Sequence, residues 1–294
     1  MTWILCTLGA VILQTVRNAL QSKLSASVNT SGVTLSRFLL APPIALVYLL
    51  LLYANSATPL PHFSQFSHRF IAVVLCASLF QIAATSLMVI LFKQKNFAIG
   101  AGLAKSEALV AGVLGMLFFG SYLSLLGWAG IVIGGVAVFI LSSGNRLQGV
   151  SVKTLVIGLA CGTCFALTSL LVREASHMLN ITHAIAAAWV LLWVLCIQAI
   201  SLSAYIALAK PIVFKQLAAA KSQVFAISTV SCLGSICWFT AMALQHVALV
   251  KTLGQLEVLL TLILSHYWLK SAVTRREIAG LLLIGIAAIF VMWA

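Results

Sequence analysis

The stretch "LAKSEALVAG", Leu103 to Gly112, places a lysine and a glutamate inside an apolar run extending from about Asn96 to Gly120. Further along, "LGQLEVLLTL", Leu253 to Leu262, places a second glutamate inside a second apolar run. The whole chain has four acidic residues, and none is an aspartate. A charge near the centre of a membrane helix costs about 2.5 to 3.5 kcal/mol on insertion scales, so such residues are retained for a reason and face a cavity or a partner.

The surrounding composition makes the membrane reading secure. Hydrophobic residues fill 63% of 294 positions and charged residues only 7%, against about 25% charged in ordinary globular proteins. Apolar runs of about 18 residues or more recur along the whole length, each reading as a spanning helix. A strand-built barrel would alternate apolar and polar residues over about ten positions, and that alternation is missing. The fold class is therefore an all-α integral membrane protein. The N-terminal "MTWILCTLGAVILQ" lacks a basic n-region and a cleavage site before Arg17, and reads as a permanent first helix.

Breaks at polar, Gly and Pro clusters divide the chain into ten transmembrane helices. Approximate limits are 2–22, 32–53, 70–92, 96–119, 122–143, 152–173, 181–207, 223–244, 247–269 and 275–294. Pro42-Pro43 is expected to bend the second span. Sliding residues 97–141 onto 247–291 aligns Glu107 with Glu257, Leu103 with Leu253, Ala129-Gly130 with Ala279-Gly280, and Gly135 with Gly285. A glutamate falling on a glutamate, in so acid-poor a chain, signals two five-helix repeats, residues 1–145 and 146–294. Five is odd, so the second repeat is inverted relative to the first, the pattern of alternating-access transporters with a site near the midplane.

The ten helices, the five-helix repeat and the run "NFAIGAGLAKSEALVAGVLGMLFFG…GWAGIVIGGVAVFIL" resemble the drug/metabolite transporter (DMT) superfamily, and within it the EamA-type transporter family. The resemblance covers essentially the full chain. It implies a central cavity lined by helices of both halves and opened alternately to each side.

The residues themselves yield a candidate site. Glu107 and Glu257 are the candidate proton-coupling residues, because two carboxylates approaching one central space would repel each other and share protons; a pair of structural carboxylates is the alternative reading. Lys105 leaves its helix about 200° from Glu107, so it requires another partner, on a neighbouring helix or on an anionic substrate. Lys251 and Gln255 share a helical face and, with Glu257, are expected to form a polar stripe. Gln14, Arg17, Asn18 and Gln21 follow helical spacing and line either the cavity or a helix contact. Arg37 and Gln81 are single polar residues in apolar spans, and Trp238 is a candidate stacking platform. Candidate substrate-binding residues are thus Gln14, Arg17, Asn18, Gln81, Lys105, Trp238, Lys251 and Gln255. Arg173-Glu174 reads as structural pairing at a membrane boundary, and Thr274 to Glu277 as a capping box for the last helix.

Several functions are excluded or set aside. The net charge of +13 is scattered through short connections, with no cluster to bind nucleic acid. Seven cysteines form no disulfide framework, and Cys161-Gly-Thr-Cys164 reads as packing. No HExxH or GxSxG motif points to an intramembrane enzyme, and no filter-like loop points to a channel. No cofactor is implied. What remains is a secondary transporter of a small polar metabolite, leaning to an amino acid or organic anion and open to proton coupling, in the inner (plasma) membrane. An exporter of cationic or amphipathic drugs is the alternative. Its partners are the lipid bilayer, a small-molecule substrate and a possible homodimer; Gly130-x-x-x-Gly134 is a site of close helix packing, within the fold or at a dimer contact. Bases in the connections after odd-numbered helices favour a cytoplasmic location for that side, with both termini outside; the family resemblance implies the reverse.

Overall fold

Residues 1–93, 104–143, 152–258, 260 and 275–294 are described by a computed structural model. Lys95, Arg146 and Lys270 lie outside the described residues, as do Thr274 and hence the capping box built on it. Among the described residues there is no strand, and six helices are long and apolar enough to cross a membrane.

The first span is α1, Thr2–Leu24, and the second is two helices, α2 (Thr30–Phe38) and α3 (Ala41–Ala54). Asn29 caps α2 by accepting from Ser31 N–H at 3.3 Å. The prolines do not bend one helix; they stand in the first turn of a new one, where their missing N–H groups leave no gap. The backbone groups freed at this break are met by the neighbouring span. Leu40 N–H donates to Ser228 Oγ at 2.9 Å, and Cys232 Sγ donates to the Ala41 carbonyl at 3.5 Å.

The third span is α4, His68–Phe92, begun by Ser67, whose hydroxyl accepts from Phe70 N–H. Then come α5 (Glu107–Phe118) and α6 (Leu125–Ser143). The second half contributes α7 (Val152–Met178), α8 (His183–Ala209), the short α9 (Ile212–Ala219), α10 (Lys221–Leu244), α11 (Val247–Leu253) and α12 (Arg275–Met292). The α9 helix occupies what reads in the sequence as a simple connection.

Two spans expected to be continuous are interrupted. In the fourth, Lys105 and Ser106 form a turn between Ala104 and α5. In the ninth, α11 stops at Leu253, Gly254 and Gln255 turn, and helix resumes at Leu256. The second turn is tightened by short-range bonds, Gln255 N–H to Thr252 O at 3.0 Å and Glu257 N–H to Gly254 O at 3.1 Å. The first interruption ends directly before Glu107, and in the second Leu256 stands between the turn and Glu257.

Packing pairs elements from the two halves. The most extensive contacts join α1 to α10, α4 to α7 and α6 to α12; α5 meets α11, and α2 and α3 meet α8. One apolar core runs through both halves, from Ala10 and Val33 to Ala243 and Val291. Many of its residues are alanines, which let helices approach closely where lipid offers no hydrophobic drive. At Gly130 an added Cβ would lie 2.7 Å from Val291 and 3.1 Å from the Ala287 carbonyl. The Gly130-x-x-x-Gly134 motif is thus used within the chain, against α12 and Gln255. Large apolar side chains such as Leu5, Ile12, Val47, Phe118 and Phe139 point outward, as lipid contact requires.

Candidate functional site

The two interruptions meet, and their charges pair crosswise. Lys105, in the turn of the first half, forms an ion pair with Glu257 of the second. Lys251, in the last turn of α11, pairs with Glu107 at 2.7 Å. Local backbone explains why each charge stands where it does. Glu107 is the first residue of α5, at the positive end of its dipole, and Lys251 is at the negative end of α11. A break in the helix creates both termini, and a glutamate and a lysine then complement them.

Glu257 is fully engaged. Gln14 Nε2 donates to its Oε2 at 2.5 Å and Asn18 Nδ2 to its Oε1 at 2.6 Å. Arg17 donates to Asn18 Oδ1 at 2.8 Å, one step removed from the carboxylate. Ser169 Oγ of α7 donates to Glu107 Oε1 at 3.3 Å. Trp238 Nε1 donates to Gln14 Oε1 at 2.9 Å, while the Trp238 ring carries Lys251 Nζ 4.3 Å from its centroid. The indole face expected to stack on a planar substrate is therefore occupied by a cation.

A cavity opens beside this network, lined by Gln14, Arg17, Arg37, Gln81, Lys105, Glu107, Trp238 and Lys251, together with Phe165, Thr168 and Ser169 of α7 and Ser235, Phe239 and Met242 of α10. Asn18 and Glu257 are outside its lining but hold it in place through the bonds given above. Gln21 faces a helix contact, donating to the Val33 carbonyl at 3.2 Å. Gln81 accepts from Gln198 Nε2 at 2.7 Å. Gln255 departs from its expected place. The turn at Gly254 rotates it off the face of Lys251, so the expected stripe does not form, and its amide packs against Gly134. The α7 and α10 residues escaped sequence reasoning; the adjacent hydroxyls Thr168-Ser169 in an apolar span were the available signal.

Several other polar and aromatic residues lie outside this cavity's lining. Arg173 donates to the carbonyls of Met242 at 2.7 Å and Gln245 at 2.6 Å, and His177 bonds the Ala243 carbonyl, so together they close the C-terminal end of α10. Glu174 pairs with Arg69 at 3.0 Å near the surface. Trp189 donates to Tyr53, and Trp193 packs with Phe66 and Phe70. All seven cysteines are free, and Cys161 is buried.

Long apolar helices packed around a buried polar cavity define a multi-pass membrane protein. The model of the EamA-like transporter family matches residues 152–293 of the chain. A solved crystal structure of another protein superposes on the chain with a TM-score of 0.75 at 17% identity, covering 99% of this chain and 97% of that one. At that identity the likeness concerns the fold. No curated protein sequence matches the chain.

Proposed function

We propose that the protein is a secondary active transporter of a small polar metabolite, an amino acid or organic anion, working by alternating access in the inner membrane. The observation that carries this reading is the crossed pair of salt bridges, Lys105 to Glu257 and Lys251 to Glu107, at two helix interruptions beside one cavity. Discontinuous helices in corresponding positions of two repeats are where transporters bind substrate and coupling ions.

The packing supports ten spans in two inverted repeats, 1–145 and 146–294. If α1 corresponds to α7 and α4 to α10, a two-fold exchange turns the α1–α10 contact into the α7–α4 contact. The α5–α11 and α6–α12 contacts map onto themselves. The mobile unit of such a fold is one repeat rocking on the other, and the crossed ion pairs are the polar contacts that rocking must break and remake. Protonating either glutamate frees its lysine, which couples the proton to the movement. In this reading Gln14, Arg17, Gln81, Lys105, Trp238 and Lys251 contact the substrate, while Asn18 and Gln255 support the surrounding helices.

The test is uptake into proteoliposomes at graded pH for wild type and Glu107→Gln. The variant is expected to retain its fold and lose most of the pH dependence of transport. A fully preserved pH profile removes the proton-carrier role.

A further inference from the structure

The ion pairs account for the two central lysines and the two central glutamates, and leave two arginines. Arg17 and Arg37 are 5% and 4% exposed and both line the cavity. Among the described residues neither makes an ion pair with a carboxylate. Arg17 gives its Nε and Nη2 donors to the neutral Asn18 amide oxygen. Arg37 donates to Thr85 Oγ1 at 2.9 Å, rests on the Phe38 ring, and keeps its Nε buried with no partner. A buried guanidinium without an anion is unfavourable, and here two line the same cavity.

Resting on the transporter reading above, we infer that the substrate carries a net negative charge, and that Arg17 and Arg37 receive its carboxylate or an equivalent oxyanion. The planar guanidinium fork matches an oxyanion in a way a lysine does not. Zwitterions and cations fit poorly. An ammonium group would need an unoccupied acceptor charge, and both glutamates are already held by lysines. The remainder of the ligand meets Phe165, Trp238 and Phe239, which suits an apolar or aromatic body. The substrate class is a small organic acid, in preference to an amino acid.

The experiment uses three probes of similar size and different charge: benzoate, phenylalanine and benzylamine. Thermal shift on the purified full chain reports binding, and proteoliposome flux of the labelled compounds reports transport. Benzoate is expected to stabilise the protein, with phenylalanine and benzylamine weak or inactive. Arg37→Gln should weaken benzoate binding about tenfold or more, as loss of a charged, two-point contact does; Arg37→Lys, which keeps the charge, should recover part of it. Stabilisation by phenylalanine or benzylamine instead, or by none of the three, overturns the assignment. Benzoate binding that survives Arg37→Gln and Arg17→Gln, each judged against its own unliganded melting point, also overturns it. Tight benzoate binding without benzoate flux leaves the anion site standing and counts against the transporter reading, so the two failures are separable.

Discussion

Glu257 shows how much one side chain can organise. It is 4% exposed and receives Lys105, Gln14 and Asn18. Breaking a buried pair by removing one partner costs about 3 to 5 kcal/mol, because the other charge is left uncompensated. Lys105→Ala and Glu257→Ala are each expected to destabilise the protein by about that much, and the double variant by clearly less than their sum. Melting points of the three variants in detergent check this. Strict additivity would mean the two groups are uncoupled. The same chemistry explains why the lysine and glutamate of "LAKSEALVAG" are not partners. They point to different sides of their turn, and each finds its counter-charge in the other half.

At the scale of elements, the interruption before α5 depends on one glycine in α7. A Cβ added at Gly162 would lie 2.8 Å from the Ala104 carbonyl and 2.7 Å from Ser106 Oγ. Backbone cannot retreat as a flexible side chain can, so Gly162→Ala is expected to displace the turn carrying Lys105. The expected loss is about 1 to 3 kcal/mol of stability, the usual result of overpacking, with reduced transport as well. Gly285, whose added Cβ meets nothing within 4 Å among the described residues, is the control: Gly285→Ala should leave melting point and flux close to wild type. Equal melting points for the two variants would show that the close approach at Gly162 does not matter.

Across the whole molecule, charge is divided between the two ends. Lys93 Nζ donates to the Val28 carbonyl, and Gln216 Oε1 accepts from Asn29 N–H, so the connection after α1, the end of α4 and α9 gather at one end with Lys23, Lys210 and Lys215 nearby in the chain. The other end holds the Arg69–Glu174 pair and the cap of α10 by Arg173 and His177. By positive-inside bias the lysine-rich end is expected to face the cytoplasm. Because α1 runs 23 residues toward Lys23, position 2 then faces the outside. A cysteine introduced there, with the native cysteines replaced, is expected to react with an impermeant maleimide on intact cells. Labelling only after permeabilisation would invert the topology.

Much of this was legible in the sequence, and what was not has a physical cause. Run lengths and hydropathy exposed the membrane spans because a bilayer imposes a length and a polarity on every helix that crosses it. The paired glutamates are the signal on which the proposed repeat rests, because acids are so scarce. The helix interruptions were hidden, since leucine, alanine and lysine on either side of them all favour helix. So was the crossed pairing. Lys105 and Lys251 are not at equivalent positions of the repeat, and each partner is more than a hundred residues away. Gln255 misled because its helical face exists only if the helix continues. Sequence by itself therefore determined that the chain is a helical membrane protein with a small set of polar residues to explain. Only the tertiary structure decided which of those residues neutralise one another, and it left Arg17 and Arg37 facing the cavity without a counter-ion among the described residues. The reason is that a charge in low dielectric is defined by its neighbours in space, and those neighbours come from the other half of the chain.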